Sequence, residues 1–310
     1  MNEYPDSLIA PLRDKDWLTT SVAEVTGVEL KVVQDRLADE YLHNPYAIPK
    51  AFYAQNLTPH VYNEGMIRFY EDTDSFIYGI IAWNSTSVKC RMREWILDFL
   101  HRNGLTSGKI LLCGDGIGCD SFYFAQQGFE ITSFEVSKFG VAFAEKMFRE
   151  YGIQVKISGS LEDLPEESFD AILCLDVLEH LPDPVAAVCQ SSKLLRPGGF
   201  FIHSSPFYLV GPQWPTHLDS NRKFAGRIRI FEKNAGLKMV DGRFLQNPIV
   251  FQKNGGVPAQ KLSWTKRFLL WYGSNWLAIF GKFPKIMPFL VQKVFRKDQQ
   301  LLDLMPEKEN

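Results

Sequence analysis

Three glycines spaced two residues apart, Gly114, Gly116 and Gly118, are the first residues of this sequence whose types and spacing could do chemistry. They follow an apolar run at 109–113 that has the composition of a buried strand. Because glycine has no Cβ, the backbone can turn sharply at these positions and lie against a ligand. The helical pattern after Cys119 completes a strand, loop and helix of the kind that binds nucleotides at the carboxyl edge of a parallel sheet.

Two carboxylates accompany the glycines. Glu135 ends the next apolar run about 20 residues downstream, where a carboxylate can accept hydrogen bonds from both hydroxyls of a ribose. Asp115 lies between the first and second glycines, and it has two interpretations. It binds a cationic group of the ligand, or it caps the following helix, where negative charge is favoured.

The elements that must position these residues alternate between strand and helix. The predicted strands are 109–113, 130–135, 153–157, 170–176 and 200–204, and the predicted helices between them are 119–127, 138–151 and 183–195. Such alternation indicates an α/β fold with a parallel sheet. A helix at 221–234 and an antiparallel pair of strands at 237–240 and 249–252 are predicted to follow.

Composition excludes several classes of protein. The chain of 310 residues is 45% hydrophobic and 23% charged, and its formal net charge of −2 provides no general attraction to nucleic acid. The five cysteines form no CxxC pair. We therefore expect reduced, mostly buried thiols, no bound metal and a cytoplasmic location. The polar N-terminus has no secretory signal pattern.

The chain divides by pattern into three regions. Residues 1–105 predict a helical cover or accessory region, 106–255 the ligand-binding domain, and 256–310 a helical tail rich in aromatic and basic residues. The tail has two interpretations: a helix on a membrane surface, or, more simply, a lid or dimer face packed on the domain. Its longest uncharged apolar stretch is too short to span a bilayer. The oligomeric state stays open.

Three further motifs follow in order, namely GSLEDLP at 159–165, FDAILCLDVLEHL at 169–181 and LLRPGGF at 194–200. With the glycine loop and Glu135, they resemble the class I S-adenosylmethionine (SAM)-dependent methyltransferases, and most of all their quinone-pathway and small-molecule branch. The resemblance covers about residues 107–252. It implies a Rossmann-like, seven-stranded, mostly parallel sheet flanked by helices, with a late antiparallel hairpin.

The resemblance also implies a cofactor and its contacts. SAM would be the methyl donor and S-adenosylhomocysteine the product. By position in the family motifs, Gly114, Gly116 and Gly118 would contact the methionine part of SAM, and Glu135 would bind the ribose hydroxyls. Val136, Ser160 and Leu161 would contact the adenine. Asp176 and Val177 would lie against the methionine part or the reacting methyl group. Leu112 stands where the family usually has an acid that helps to bind the SAM ammonium. If Asp115 binds a cationic group of the ligand, that group would be this ammonium.

Histidines are the candidate bases, because a hydroxyl acceptor must lose its proton near neutral pH. His217 is the first choice, since it lies in a long polar loop after the fifth strand. His180, in the Glu-His-Leu segment, and His203, at the end of the fifth strand, are the other candidates. Each has a structural alternative as a loop anchor or core residue.

These patterns predict an enzyme that transfers a methyl group from SAM to an oxygen or nitrogen of a small molecule. The apolar tail favours a lipid-like or lipid-linked acceptor. A non-catalytic partner subunit with the same fold stays open because of Leu112 and Ser160. An NAD-dependent oxidoreductase is disfavoured by the late hairpin and by the Arg-Pro-Gly-Gly turn that begins at Arg196.

Overall fold

One seven-stranded sheet organises the computed structural model, which describes residues 4–227, 229–283, 298, 300 and 304. The strand order is β3-β2-β1-β4-β5-β7-β6. The strands are β1 (Lys109–Cys113), β2 (Glu130–Phe134), β3 (Val155–Ser158), β4 (Phe169–Leu175), β5 (Leu195–Ser204), β6 (Leu237–Gly242) and β7 (Ile249–Lys253). β1 to β5 pair in parallel, and β7 pairs antiparallel with β5 and β6. The predicted sheet with its late antiparallel hairpin is confirmed.

Helices cover the sheet and precede it. Before β1 the described chain forms α1 (Ala10–Arg13), α2 (Lys15–Thr26), α3 (Leu30–His43), α4 (Ala47–Ala54), α5 (Glu64–Asp72), α6 (Ser75–Asn84) and α7 (Ser87–Arg102). Between and after the strands lie α8 (Cys119–Gln126), α9 (Lys138–Glu150), α10 (Pro184–Leu194), α11 (Arg229–Ala235) and α12 (Trp264–Phe280). The largest apolar core joins the N-terminal helices to β1, β2 and β4. The division of the chain near residues 105 and 255 therefore stays a proposal.

Two local predictions are wrong. β5 begins at Leu195 rather than at Phe200, because the expected turn is an irregularity inside the strand, where Leu195 pairs with Phe169 and Phe200 with Ala171. The single helix predicted at 221–234 is a 3-10 segment, Asp219–Phe224, followed by α11. The part of the predicted tail at 284–297 lies outside the described residues.

A buried ion cluster joins the N-terminal helices to α8. The carboxylate of Asp120 accepts a hydrogen bond from Nε of Arg93 at 2.7 Å and lies 2.8 Å from Nζ of Lys89. Arg93 also donates to the backbone carbonyls of Ser7 and Asn84. All three charged side chains are buried, and such a group is stable only while every charge keeps its partner. The cluster therefore holds α6, α7 and the N-terminus against the helix that follows the glycine loop.

We expect Asp120→Asn to lower the free energy of unfolding by about 3–5 kcal/mol, because two buried cations lose their counter-charge. Glu64→Gln, in the exposed pair with Arg68, is the matched control, and its effect is expected to stay below about 1 kcal/mol. Urea unfolding followed by circular dichroism measures both. Similar small losses for the two variants would contradict a structural role for the buried cluster.

Candidate functional site

The predicted cofactor residues lie at the carboxyl ends of adjacent parallel strands. Gly114 follows β1, Glu135 follows β2, Ser160 follows β3 and Asp176 follows β4. Because β1 occupies the middle of these four strands, with β2 on one side and β4 on the other, the chain reverses its direction of winding there. Ligands of open α/β sheets bind at such a switch point. The topology thus brings the candidate residues to one edge.

The glycine loop has the backbone that its sequence requires. Gly114, Gly116 and Gly118 have φ values of +69°, +61° and +82°, and residues with a Cβ rarely adopt such values. A Cβ at Gly114 would lie 2.6 Å from Cγ2 of Val177, and one at Gly116 would lie 2.7 Å from Cδ1 of Ile80. The first two glycines therefore allow close approach on the side of the candidate site.

Gly118 faces a different neighbour. A Cβ there would lie 2.6 Å from the ring of Phe148 and 2.8 Å from Ala144, both on α9. Its lack of a side chain lets α9 pack against the start of α8. We find support for a packing role of Gly118, while its predicted contact with the methionine part of SAM stays a prediction.

Glu135 ties the glycine loop to the end of β2. One carboxylate oxygen accepts from the backbone N–H of Gly116 at 2.7 Å, and the other accepts from Val136 and Ser137 at 2.8 Å each. Burial raises the pKa of this carboxyl, and the three N–H donors oppose that shift. The acid is thus held at the loop by hydrogen bonds to its charged form, at the position predicted to bind a ribose.

The residues predicted near the adenine have local roles of their own. Val136 is exposed beside Glu135. The hydroxyl of Ser160 accepts from the backbone N–H of Glu162 at 3.0 Å, and Leu161 packs against the apolar core. Val136, Ser160 and Leu161 flank the edge at the ends of β2 and β3, so their predicted adenine contacts stay compatible with the structure.

Asp115 caps α8. Its two carboxylate oxygens accept hydrogen bonds from the backbone N–H groups of Asp120, at 3.1 Å, and Ser121, at 2.8 Å. Burial, reinforced by the charge of Asp120, raises the pKa of Asp115, and the hydrogen bonds from Ser121 oppose the rise. Of the two interpretations, the geometry supports the helix cap.

Asp176 lies under the N-terminal cover. It has a φ of +60°, and its carboxylate accepts from Nε1 of Trp83 at 2.9 Å and from the hydroxyl of Ser204 at 3.1 Å. Burial raises its pKa, and the charge of Lys89 together with these two neutral donors partly offsets the rise. Trp83 and Ile80 both belong to α6, so this helix reaches the site at Asp176 and at Gly116. Trp83 thus lies against the end of β4.

Two of the three candidate bases lie together. The ring centroids of His180 and His217 are 4.6 Å apart, and Nδ1 of His180 lies 2.7 Å from the hydroxyl oxygen of Tyr70. Burial lowers the pKa of His180 to about 4 and that of His217 well below its usual range. Both rings are therefore neutral and weakly basic at neutral pH. Glu179, which the sequence did not single out, lies beside them.

His203 is apart from this pair. It is buried, and its ring stacks on Phe251, with centroids 5.7 Å apart and an interplanar angle of 10°, and meets the edge of Phe231. Burial lowers its pKa to about 3. These contacts support the structural alternative for His203, since a proton acceptor must reach its substrate.

Comparisons with known proteins identify relatives of the central part of this chain. A family described as a methyltransferase domain matches residues 111–203. A ubiquinone biosynthesis O-methyltransferase from Chromobacterium violaceum is 34% identical over 116 residues, which are 35% of this chain and 49% of that protein. A protein of the same name from Pseudomonas fluorescens is 32% identical over 160 residues, which are 45% of this chain and 68% of that protein.

A solved structure of Haemonchus contortus phosphoethanolamine N-methyltransferase 2 in complex with SAM has a TM-score of 0.43. It is 18% identical, and the match covers 58% of this chain and 45% of that one. The sequence relatives define the class: this chain belongs to the class I SAM-dependent methyltransferases. It spans about half the length of the first curated relatives that it matches, 49% and 43%.

The residues present fit SAM. The positive-φ loop at Gly114 and Gly116 permits close approach, and the Glu135 carboxylate lies at the end of the neighbouring strand. When bound, SAM supplies an electrophilic methyl group on a sulfonium. A protein that uses this chemistry has to bind the nucleoside, orient the methyl group and exclude water.

We expect Asp115→Asn to change the SAM dissociation constant by less than about tenfold, because Asn keeps the helix cap and removes only the charge. Asp115→Ala removes the cap and is expected to lower stability by about 1 kcal/mol. Isothermal titration with SAM and urea unfolding measure the two effects. Asp183→Asn, at the cap of α10, is the control. A large loss of affinity in Asp115→Asn alone would assign the carboxylate to the SAM ammonium.

Proposed function

We propose that this protein transfers the methyl group of SAM to an oxygen or nitrogen atom of a small molecule. One observation carries the proposal: the N–H of Gly116 donates to Glu135 across the ends of β1 and β2, which fixes a positive-φ loop and a carboxylate at one ligand edge. The names of the sequence relatives, ubiquinone biosynthesis O-methyltransferases, favour oxygen as the acceptor atom. Relatives of that kind also favour a small acceptor over nucleic acid.

The chain contributes mainly position and shelter to this reaction. Methyl transfer from a sulfonium is an in-line displacement, so its rate depends on how the nucleophile is held and on the exclusion of water. Trp83 and Ile80 on α6, with Tyr70 on α5, form the covering side of the edge. Base catalysis by His217, His180 or His203 stays a prediction. Their lowered pKa values make each ring a weaker base than an ordinary histidine.

We expect Glu135→Ala to weaken SAM binding by about tenfold or more, because the variant loses charged hydrogen bonds to both the loop and the ribose. Glu130 lies at the other end of β2 and its side chain is exposed, so Glu130→Ala is the matched control. Isothermal titration measures both. Equal affinities for the two variants would contradict the assignment of Glu135 to the ribose.

Incubation with methyl-labelled SAM and extract of the source cell tests the activity itself. The expected result is a labelled small molecule that forms with the unaltered chain and forms more slowly with Glu135→Ala at the same SAM concentration. SAM binding without any labelled product would instead support the non-catalytic partner subunit. Absence of SAM binding together with a thermal shift by NAD would support the oxidoreductase.

We further propose that the exposed face of α12 contacts a membrane surface from the cytoplasmic side. α12 packs on the domain through Leu270, Gly273 and Leu277. Its other side presents Trp264, Phe268, Leu269, Trp271, Tyr272, Trp276 and Ile279, with 39–78% of each residue exposed. None of the described helices is long and apolar enough to cross a membrane. An aromatic, apolar helix face of this kind, with Arg267 also exposed on the helix, suits the interfacial region of a bilayer.

Sedimentation with vesicles that contain phosphatidylglycerol tests this contact. We expect the unaltered chain to sediment with them and the double variant Trp264→Ser, Trp271→Ser to remain in the supernatant, because both rings are exposed. Sedimentation velocity without lipid is the second measurement. A dimer that the double variant abolishes, with no binding to vesicles, would show that the face joins two copies of the chain.

A further inference from the structure

A buried carboxylate and two histidine rings meet beside the end of β4. Ligand atoms of Glu179, His180 and His217 all lie within 4.8 Å of one another. Glu179 is 1% exposed, and neither of its carboxylate oxygens has a hydrogen-bond partner among the described residues. Nδ1 of His217, in a residue 6% exposed, also has none there. Buried polar atoms are almost always satisfied, so this cluster needs an explanation.

We propose that Glu179, His180 and His217 bind a divalent first-row transition-metal cation. Two neutral imidazoles and one carboxylate are a donor set that suits Zn²⁺ and its neighbours in the first row. Three protein donors leave coordination positions for water or for an oxygen-bearing ligand. The proposal concerns cation binding alone, so it holds or fails independently of the proposed methyl transfer.

The ring of His180 is oriented as a ligand through Nε2. Its Nδ1 lies 2.7 Å from the hydroxyl oxygen of Tyr70 and 3.2 Å from the backbone carbonyl of Thr216. A proton on Nδ1 can be donated to that carbonyl, which leaves the lone pair of Nε2 on the side of Glu179, 3.8 Å from its Oε1. Metal-bound histidines are usually fixed by such a bond from the second ring nitrogen.

The backbone around Glu179 and His217 is held by three hydrogen bonds from elsewhere. The N–H of Leu218 donates to the carbonyl of Glu179 at 3.1 Å, and the side-chain amide of Asn221 donates to the same carbonyl at 3.1 Å. Nδ1 of His60 lies 2.9 Å from the carbonyl of His217. The metal-ligand atoms therefore come from two segments, one with Glu179 and one with His217, whose backbones are joined by hydrogen bonds. A preorganised metal site requires such support.

Charge balance at the cluster also points to a cation. Among the described residues, no Lys or Arg lies within salt-bridge distance of Glu179, in contrast to Asp120 with its two cations. A divalent cation would supply the missing charge. About a fifth of the His180 side chain is exposed (20%), which provides a path for entry.

Metal titration of the chelator-treated full chain tests the site without SAM. We expect about one equivalent of Zn²⁺ to bind, and Glu179→Gln and His217→Asn each to weaken binding by more than about 10-fold, since even outer-shell losses reach that size. His43→Asn, at an exposed histidine outside the cluster, is the matched control and is expected to bind as the unaltered chain does. Circular dichroism establishes that each variant is folded.

X-ray absorption of the Zn²⁺-loaded, unaltered chain makes the test independent of any variant. We expect two imidazole nitrogens and at least one carboxylate oxygen in the coordination shell. Failure to bind Zn²⁺, Mn²⁺ or Co²⁺ would overturn the proposal and identify Glu179 as a buried neutral acid. Binding that keeps its strength in Glu179→Gln and His217→Asn, or a shell without two imidazoles, would overturn it as well.

Discussion

The chain reversal between β1 and α8 is the constraint on which the rest of the structure depends. Three residues with positive φ follow one another at alternate positions, and only glycine adopts that geometry without strain. The reversal is fixed on one side by Glu135, which accepts from the loop, and on the other by Asp115, which caps α8. Two acids therefore replace the hydrogen bonds that the loop backbone cannot form within a strand or helix.

Buried charge is treated in two different ways in this molecule. Asp120 is surrounded by Arg93 and Lys89, so its charge is balanced within the protein and serves to join α7 to α8. Glu179 is equally buried, yet burial and a second acid both disfavour its charged form. The first arrangement is complete without a ligand, whereas the second becomes complete only with a proton or an added cation. This contrast separates a structural ion cluster from a candidate binding site.

Local signals predicted the parts of the fold that local physics determines. β1 and the glycine loop are marked by an apolar run and by residues without a Cβ, and both occur where the pattern predicts them. The predicted start of β5 was wrong because Gly198 and Gly199 predict a turn, while the pairing of Leu195 with Phe169 of β4 begins the strand before it. Such pairing is a tertiary effect that overrides local preference.

The candidate site was predictable only in part for the same reason. Glu135 and Asp176 could be recognised because strand ends are visible in the sequence. The grouping of Glu179 with His217 could not, since the two residues belong to separate loops without a fixed spacing. The sequence therefore predicted no metal, although the Glu-His pair at 179–180 was visible as a motif. Chemistry that is assembled across loops needs the tertiary structure, even where each residue is conspicuous.

The apolar residue at Leu112 changes which acid can face a cationic ligand group at this edge. Leu112 is buried in the core, and Asp115 directs its carboxylate to the backbone of α8. Asp176, at the end of β4, is another carboxylate at this edge, and it accepts hydrogen bonds from Trp83 of α6 and Ser204 of β5. Burial raises the pKa of Asp176, and the charge of Lys89 together with these two donors opposes that rise. Because one of the donors comes from α6, the N-terminal cover takes part in setting the electrostatics of the site as well as in excluding water.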